Sequence, residues 1–210
     1  MAILKVAQIG HPTLRLSATP VALERLESPE FQRLVDDLSD TMREYAGVGL
    51  AAPQVRESMR VFVMEIGRSE RYPERQPFEL LAVINPVVTQ LGAERIDGWE
   101  GCLSIAGMRG LVPRSPAIRL RGLDRFGDEI DLQLEGFAAV VAQHESDHLD
   151  GVLYVDRMPD LTTLMAEEEY QRMTAASEHA RTASAETSPL DAAEPNGDGR
   201  PHDAREERGT

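Results

Sequence analysis

The sequence has a single cysteine, Cys102, so no internal disulfide can form. That excludes a stapled secreted scaffold and suits a reducing compartment. No apolar run approaches the roughly 18 residues that a membrane-spanning helix needs, so no membrane partner is expected. Positive charge is scarce: 22 Lys and Arg stand against 36 Asp and Glu, for a net charge of −14. A surface of that sign repels a phosphate backbone, which excludes a DNA groove reader. The N-terminal segment, residues 1–10, holds one lysine and no long apolar stretch, so no signal peptide is expected. No internal repeat is present either. What remains is a globular protein of 210 residues, expected in the cytoplasm, with room for one full hydrophobic core.

The charge is unevenly spread. Residues 174–210 carry eight acidic and four basic side chains, many small and polar residues, and one large aliphatic, Leu190. Such a segment buries too little apolar surface to offset the entropy of ordering it. The expected organisation is a folded domain over residues 1–173 and a disordered acidic tail over 174–210. Residues 67–79, rich in Arg, Glu and Pro, read as an exposed loop.

Periodicity supplies the elements. Ser28-Pro29-Glu30 is a helix opening, with a hydroxyl cap, a proline in the first turn and an acid at the positive end of the dipole. Phe31, Leu34, Val35, Leu38, Met42 and Tyr45 then share one helical face, and Gly47 is the expected stop. Residues 60–66 and 80–85 are β-rich, with Pro86 expected to separate the latter from a further strand over 87–91. Ile118 and Leu120 alternate with arginines, and Ile130, Leu132 and Leu134 alternate with polar residues across a turn at residues 125–128. That pattern is a half-buried antiparallel hairpin. The period then changes: Phe137, Val140, Val141, His144 and His148 fall on one helical face, and Gly151 closes the helix. A last helix is expected over residues 161–173. Helices with antiparallel strands and no βαβ rhythm argue for an α+β fold, with antiparallel sheets packed around this central helix.

That helix carries His144-Glu145-Ser146-Asp147-His148, an H-E-x-x-H run. Residues four apart on a helix lie about 5–6 Å from one another, so both imidazoles can share one metal ion. Glu145 sits about 100° round the axis, placed to reach a water on the metal rather than the metal itself. Two core histidines bonded to backbone carbonyls are the bland alternative. Two imidazoles leave a catalytic site short of one protein ligand. Glu167, Glu168 and Glu169 lie at the spacing a peptidase would use, and Cys102 in Glu100-Gly101-Cys102-Leu103-Ser104 is the other candidate. A third segment, Gly47-Val48-Gly49-Leu50-Ala51-Ala52-Pro53-Gln54, leaves the backbone bare for a tight passage past something else. It lacks the Gly-Lys-Ser/Thr of a phosphate loop, and Gln54 taken alone could be a surface amide.

In order along the chain these segments match G-x-G-x-A-A-x-Q, E-G-C-x-S and H-E-x-D-H, and with them the sequence resembles the peptide deformylase family. His11-Pro12-Thr13-Leu14-Arg15 and Arg109-Gly110-Leu111-Val112-Pro113-Arg114 are similar to stretches of that family, and the likeness spans about residues 3–170. The resemblance implies Cys102, His144 and His148 as metal ligands. It implies Fe(II) as the ion, with Zn(II), Ni(II) or Co(II) as substitutes, and a thiolate with two imidazoles suits such late divalent metals. It implies Glu145 as general base and acid, with the Gln54 amide and the Leu103 N–H stabilising an oxyanion, in hydrolysis of the formyl group from N-formylmethionyl nascent chains. Gly49 leaves room for the formyl group, and Val48, Phe137, Val140 and Val141 are the candidates for a methionine pocket. Glu100 and Arg109 are expected to brace one another or hold the Cys102 loop. The acidic surface predicts at most transient ribosome contact, and a monomer is expected. Two rival readings have distinct consequences: a zinc peptidase would take a ligand from residues 167–169, and a structural metal site would need no Glu145.

Overall fold

The structure, a computed structural model, describes residues 2–67 and 76–186. The expected loop over 67–79 therefore lies mostly outside the described residues, as does the tail beyond residue 186. The chain divides into two units, residues 1–170 and 171–210.

In the first unit a short helix α1 (Leu23–Leu26) leads into α2 (Pro29–Glu44). The Ser28 hydroxyl accepts the Phe31 N–H, as a cap must. The helix ends before the expected glycine: Ala46 takes the left-handed conformation, with φ 52°, and the Gly47 N–H returns to the Met42 carbonyl at 2.8 Å. Gly47 is small for another reason, since a Cβ there would sit 3.1 Å from Leu103 Cδ1.

Strands β1 (Gly49–Ala51), β2 (Val61–Ile66) and β3 (Phe78–Gln90) pair antiparallel in a five-stranded sheet. Their partners are β6 (Ala117–Leu123) and β7 (Glu129–Glu135), and the spatial order is β1-β2-β3-β6-β7. Pro86 does not divide β3. The strand runs through it as a bulge at Asn85, φ 51°, whose side chain exchanges two 2.8 Å hydrogen bonds with the backbone of Val21. The β6–β7 hairpin has the expected register, with Ile118 opposite Leu134 and Leu120 opposite Leu132.

The sheet separates two apolar layers. Val61, Val63 and Ile84 face α2 with Phe31, Val35, Leu38 and Met42. Phe62, Met64, Val83, Ile118 and Leu120 face the opposite way, against α3 (Gly136–Leu149). Covering both faces explains why β2 reads as an apolar run from Val61 to Met64 while β6 and β7, covered on one face, alternate. A second sheet, β4 (Ile96–Cys102), β5 (Ile105–Arg114) and β8 (Met165–Ala166), carries Cys102 to the far side of α3. The helix is thus enclosed between the two sheets, the α+β arrangement expected. Gly151, at φ 73°, closes the turn after α3, where a Cβ would come within 2.8 Å of the Arg15 backbone.

The last helix begins later than the sequence suggests. After α4 (Tyr154–Arg157), residues 161–163 form a 3₁₀ turn and β8 pairs with β5 before α5 (Glu167–Glu186) starts. Hydrogen bonding to β5 takes the Met165–Ala166 backbone out of the helix. The helix of the second unit continues past the expected boundary at residue 173.

Candidate metal centre

Helix α3 presents His144 and His148 one turn apart, with ring centroids 5.0 Å from one another. Strand β4 ends at Cys102, whose Sγ lies 3.2 Å from His148 Nε2. One donor atom from each of Cys102, His144 and His148 falls within 4.8 Å of the others. Among the described residues this is the group of Cys, His and acidic side chains close enough to share an ion. Glu167, Glu168 and Glu169 are not in it; Glu167 forms an ion pair with Arg109 instead.

The donor set suits a soft-to-borderline divalent metal. Burial alone would raise the Cys102 thiol, but His148 and His144 outweigh it and hold the group well below the ordinary thiol range. Glu100 Oε2 lies 2.7 Å from His144 Nδ1, which turns the other ring nitrogen toward the sulfur. Burial would raise the Glu100 carboxyl too; hydrogen bonds from His144 and Arg114 bring it down to about 2. The expected brace between Glu100 and Arg109 is not formed. Glu100 stands opposite Gly110 in the β4–β5 register, so Arg109 falls on the other face of the pleat and Arg114, four residues on, shares the face of Glu100. Arg114 takes the carboxylate in a two-pronged grip at 2.7 and 3.0 Å.

Glu145 is 4% exposed, and its Oε2 is buried with no hydrogen-bond partner. Burial pushes the carboxyl up to about 7 against the pull of His144 and His148; a divalent cation beside it acts in the lowering direction. Gly49 on β1 makes room for it, since a Cβ there would meet Glu145 Oε1 at 2.4 Å. The bare backbone of residues 47–54 is therefore the tight passage that the sequence suggested, and what it passes is Glu145.

Gln54 is buried, 1% exposed, rather than a surface amide. The Ala51 N–H donates to its Oε1 at 2.8 Å, and its Nε2 donates to Ser104 Oγ at 3.2 Å and reaches Cys102 Sγ at 3.5 Å. The Leu103 peptide is held from the outside by Gln8, whose Nε2 donates to the Leu103 carbonyl at 3.0 Å.

Gln8, Gln54, Cys102, Leu103, His144 and Glu145 line a cleft of about 580 Å³. Val48, Gly49, Glu100, Arg109, Phe137, Val140 and Val141, all picked out in the sequence, border it. Phe137 and Val140 are half-buried while Val141 is buried, so the helical face read as core is in part the cleft wall. At the mouth Arg109 pairs with Glu167 and lies over the Tyr170 ring, 5.5 Å from its centroid, and Tyr170 packs on Trp99. Sequence reading missed Trp99, Arg114, Asp147 and Tyr170. The Arg109–Arg114 stretch was marked by resemblance, but nothing local to Arg114 shows that it would be buried on two carboxylates.

Comparison with known proteins agrees with this geometry. The family model for polypeptide deformylase matches residues 3–163. Peptide deformylase 2 of a Nostoc species is 43% identical over 171 residues, covering 81% of this chain and 94% of that protein. Peptide deformylase 2 of Bordetella bronchiseptica is 47% identical over 157 residues, covering 75% and 88%. Among solved structures, the Met-Ala-Ser-bound class I type b peptide deformylase of Acinetobacter baumannii superposes with a TM-score of 0.72 at 37% identity, over 75% of this chain and 99% of that one. The peptide deformylase of Thermotoga maritima gives 0.67 at 36% identity, over 76% and 100%. The chain belongs to the peptide deformylase family, metal-dependent hydrolases that remove the N-formyl group from nascent peptides.

Proposed function

We propose that Cys102, His144 and His148 hold the ion, that Glu145 moves the protons of the reaction, and that Gln54 and Leu103 receive the developing negative charge. The observation that carries this reading is the meeting of three donor atoms within 4.8 Å, two of them from residues that line the cleft, beside a buried carboxylate for which Gly49 leaves room. A divalent ion held by Cys102, His144 and His148 would supply Lewis-acid activation of a water and of a carbonyl. Glu145 takes a proton from the attacking water and returns it to the departing amine of methionine, so that formate and a free N-terminus leave. The Gln54 Nε2, fixed by the hydrogen bond at its Oε1, and the Leu103 N–H donate to the oxyanion. Val48, Phe137, Val140 and Val141 take the methionine side chain, and Gly49 leaves the space that Glu145 occupies beside the formyl group. Glu100 orients His144. Arg109, tied to Glu167, shapes the mouth through which the peptide passes.

The ion is Fe(II) in the cell, with Zn(II), Ni(II) or Co(II) able to replace it; the thiolate and two imidazoles support any of these over Mg²⁺. The protein acts in the cytoplasm as a monomer on N-formylmethionyl chains, and no described helix is long and apolar enough to cross a membrane. Its net charge of −14 supports only transient ribosome contact. A salt-sensitive, submicromolar ribosome complex in sedimentation would contradict that point. The test of the whole reading is hydrolysis of formyl-Met-Ala-Ser by anaerobically prepared protein with its metal measured, since a thiolate site loses activity on oxidation. Formate release in proportion to bound metal is expected. Metal-loaded, folded protein that releases none would overturn it.

A further inference from the structure

In the buried charge cluster next to the cleft, Arg114 has no part in the chemistry above. Arg114, the last residue of β5, is 6% exposed, and all three of its nitrogens are engaged. Nε and Nη2 donate to the two oxygens of Glu100, and Nη1 donates to Asp147 Oδ2 at 2.6 Å. Asp147 also receives Arg157, at 2.8 Å to Oδ1 and 3.2 Å to Oδ2. Glu100 lies two residues before Cys102 on β4, and Asp147 lies one residue before His148 on α3. One guanidinium therefore spans the strand that carries the sulfur and the helix that carries both imidazoles. Its second carboxylate contact is to the very oxygen, Glu100 Oε2, that meets His144 Nδ1.

Stability is a poor reason for such an arrangement. Removing ionised groups from water costs as much as their attraction returns, and apolar replacements of similar volume often do as well or better. What an apolar replacement cannot do is fix the direction of a ring nitrogen or the distance between a strand end and a helix. A planar fork with two fixed axes can.

We propose that Arg114 is a positioning residue for the metal centre. Gripping Glu100 and Asp147 together, it sets the spacing between Cys102 on β4 and the histidine pair on α3 and holds His144 with Nε2 toward the site. The inference rests on the reading of Cys102, His144 and His148 as ligands.

The test is zinc affinity by chelator competition, together with the absorption spectrum of the Co(II) form, for the full chain and for Arg114→Lys. Lysine keeps the buried charge but replaces the fork by a point donor. Zinc affinity is expected to fall 10–100-fold, the range for loss of an outer partner of a metal ligand. The ligand-field bands should shift, while the metal-free protein melts within a few degrees of the parent. Arg157→Lys, which touches Asp147 but not Glu100, should change zinc affinity by less than about threefold. Zinc affinity within twofold of the parent and an unchanged cobalt spectrum in Arg114→Lys would overturn the proposal, as would an equal loss in Arg157→Lys. Should Arg114→Lys fail to fold, Glu100→Gln decides: it keeps the side-chain volume and an acceptor for His144 but denies Arg114 its carboxylate. A tenfold or larger loss is expected there, and an unchanged affinity overturns the proposal. A parent protein that binds no zinc would overturn both this inference and the ligand assignment; a parent that binds it as tightly as Arg114→Lys removes this inference alone.

Discussion

Helices α2 and α3 are of similar length, 16 and 14 residues, and lie on opposite faces of the same five-stranded sheet, yet they are built on different rules. Helix α2 borders solvent. It buries Phe31, Val35, Leu38 and Met42 in one stripe, with Ser39 and Thr41 beside them, and leaves its charged residues exposed or half-buried. Helix α3 is enclosed, and among its buried residues are Gln143, His144, Glu145, Asp147 and His148. Water satisfies the polar side of α2 at no structural cost. Several buried polar groups on α3 have protein partners instead: Gln143 bonds the Ser115 backbone, His144 meets Glu100, and Asp147 holds two arginines. Damage to α2 should therefore register as lost stability, and damage to α3 as lost chemistry.

The sharpest way to break that contrast is Glu145→Gln. It is expected to keep its metal and its fold and to lose turnover of formyl-Met-Ala-Ser by about 10²–10⁴-fold. Unchanged turnover would remove Glu145 from the mechanism. Gly49→Ala reaches the same carboxylate from the sheet side. The new methyl displaces Glu145, so kcat should drop by about 10²-fold, the scale of a misplaced reacting group. Steady-state kinetics at fixed metal content would show it. On the other helix, Leu38→Ala empties a fully buried site and should cost about 2–5 kcal/mol in denaturant unfolding. Its kcat should stay near the parent value while the protein is folded. The smallest effect expected is Ser28→Ala, which removes the α2 cap for about 1 kcal/mol, read as a shift in the unfolding midpoint without change in metal affinity. A fall in kcat from either α2 change, measured on folded protein, would erase the distinction.

The same contrast governs what could be read in the sequence. The stripe of α2, its Ser28 cap and the alternation of the β6–β7 hairpin were legible because solvent on one side writes a period into the chain. The apolar run at the start of β2, Val61 to Met64, was equally legible, since both faces are covered. At the site, H-E-x-x-H declared itself because helix geometry alone brings its histidines together. Cys102 and Gln54 reach them through the fold, and resemblance rather than spacing linked the three segments. The pairing of Glu100 was misread. The expected partner, Arg109, lies on the other face of the pleat, and Arg114 shares the face of Glu100. The start of α5 was misread because its acidic, helix-favouring residues give no sign that Met165–Ala166 would bond to β5.

The central claim is that a cysteine on β4 and two histidines on α3 together hold one ion. The Co(II) absorption spectrum of the full chain and of Cys102→Ser tests it most directly. One cobalt per chain with an intense thiolate-to-metal band in the parent, and loss of that band with Cys102→Ser, is the predicted result. A parent spectrum without the band, or a band that survives in Cys102→Ser, would contradict it.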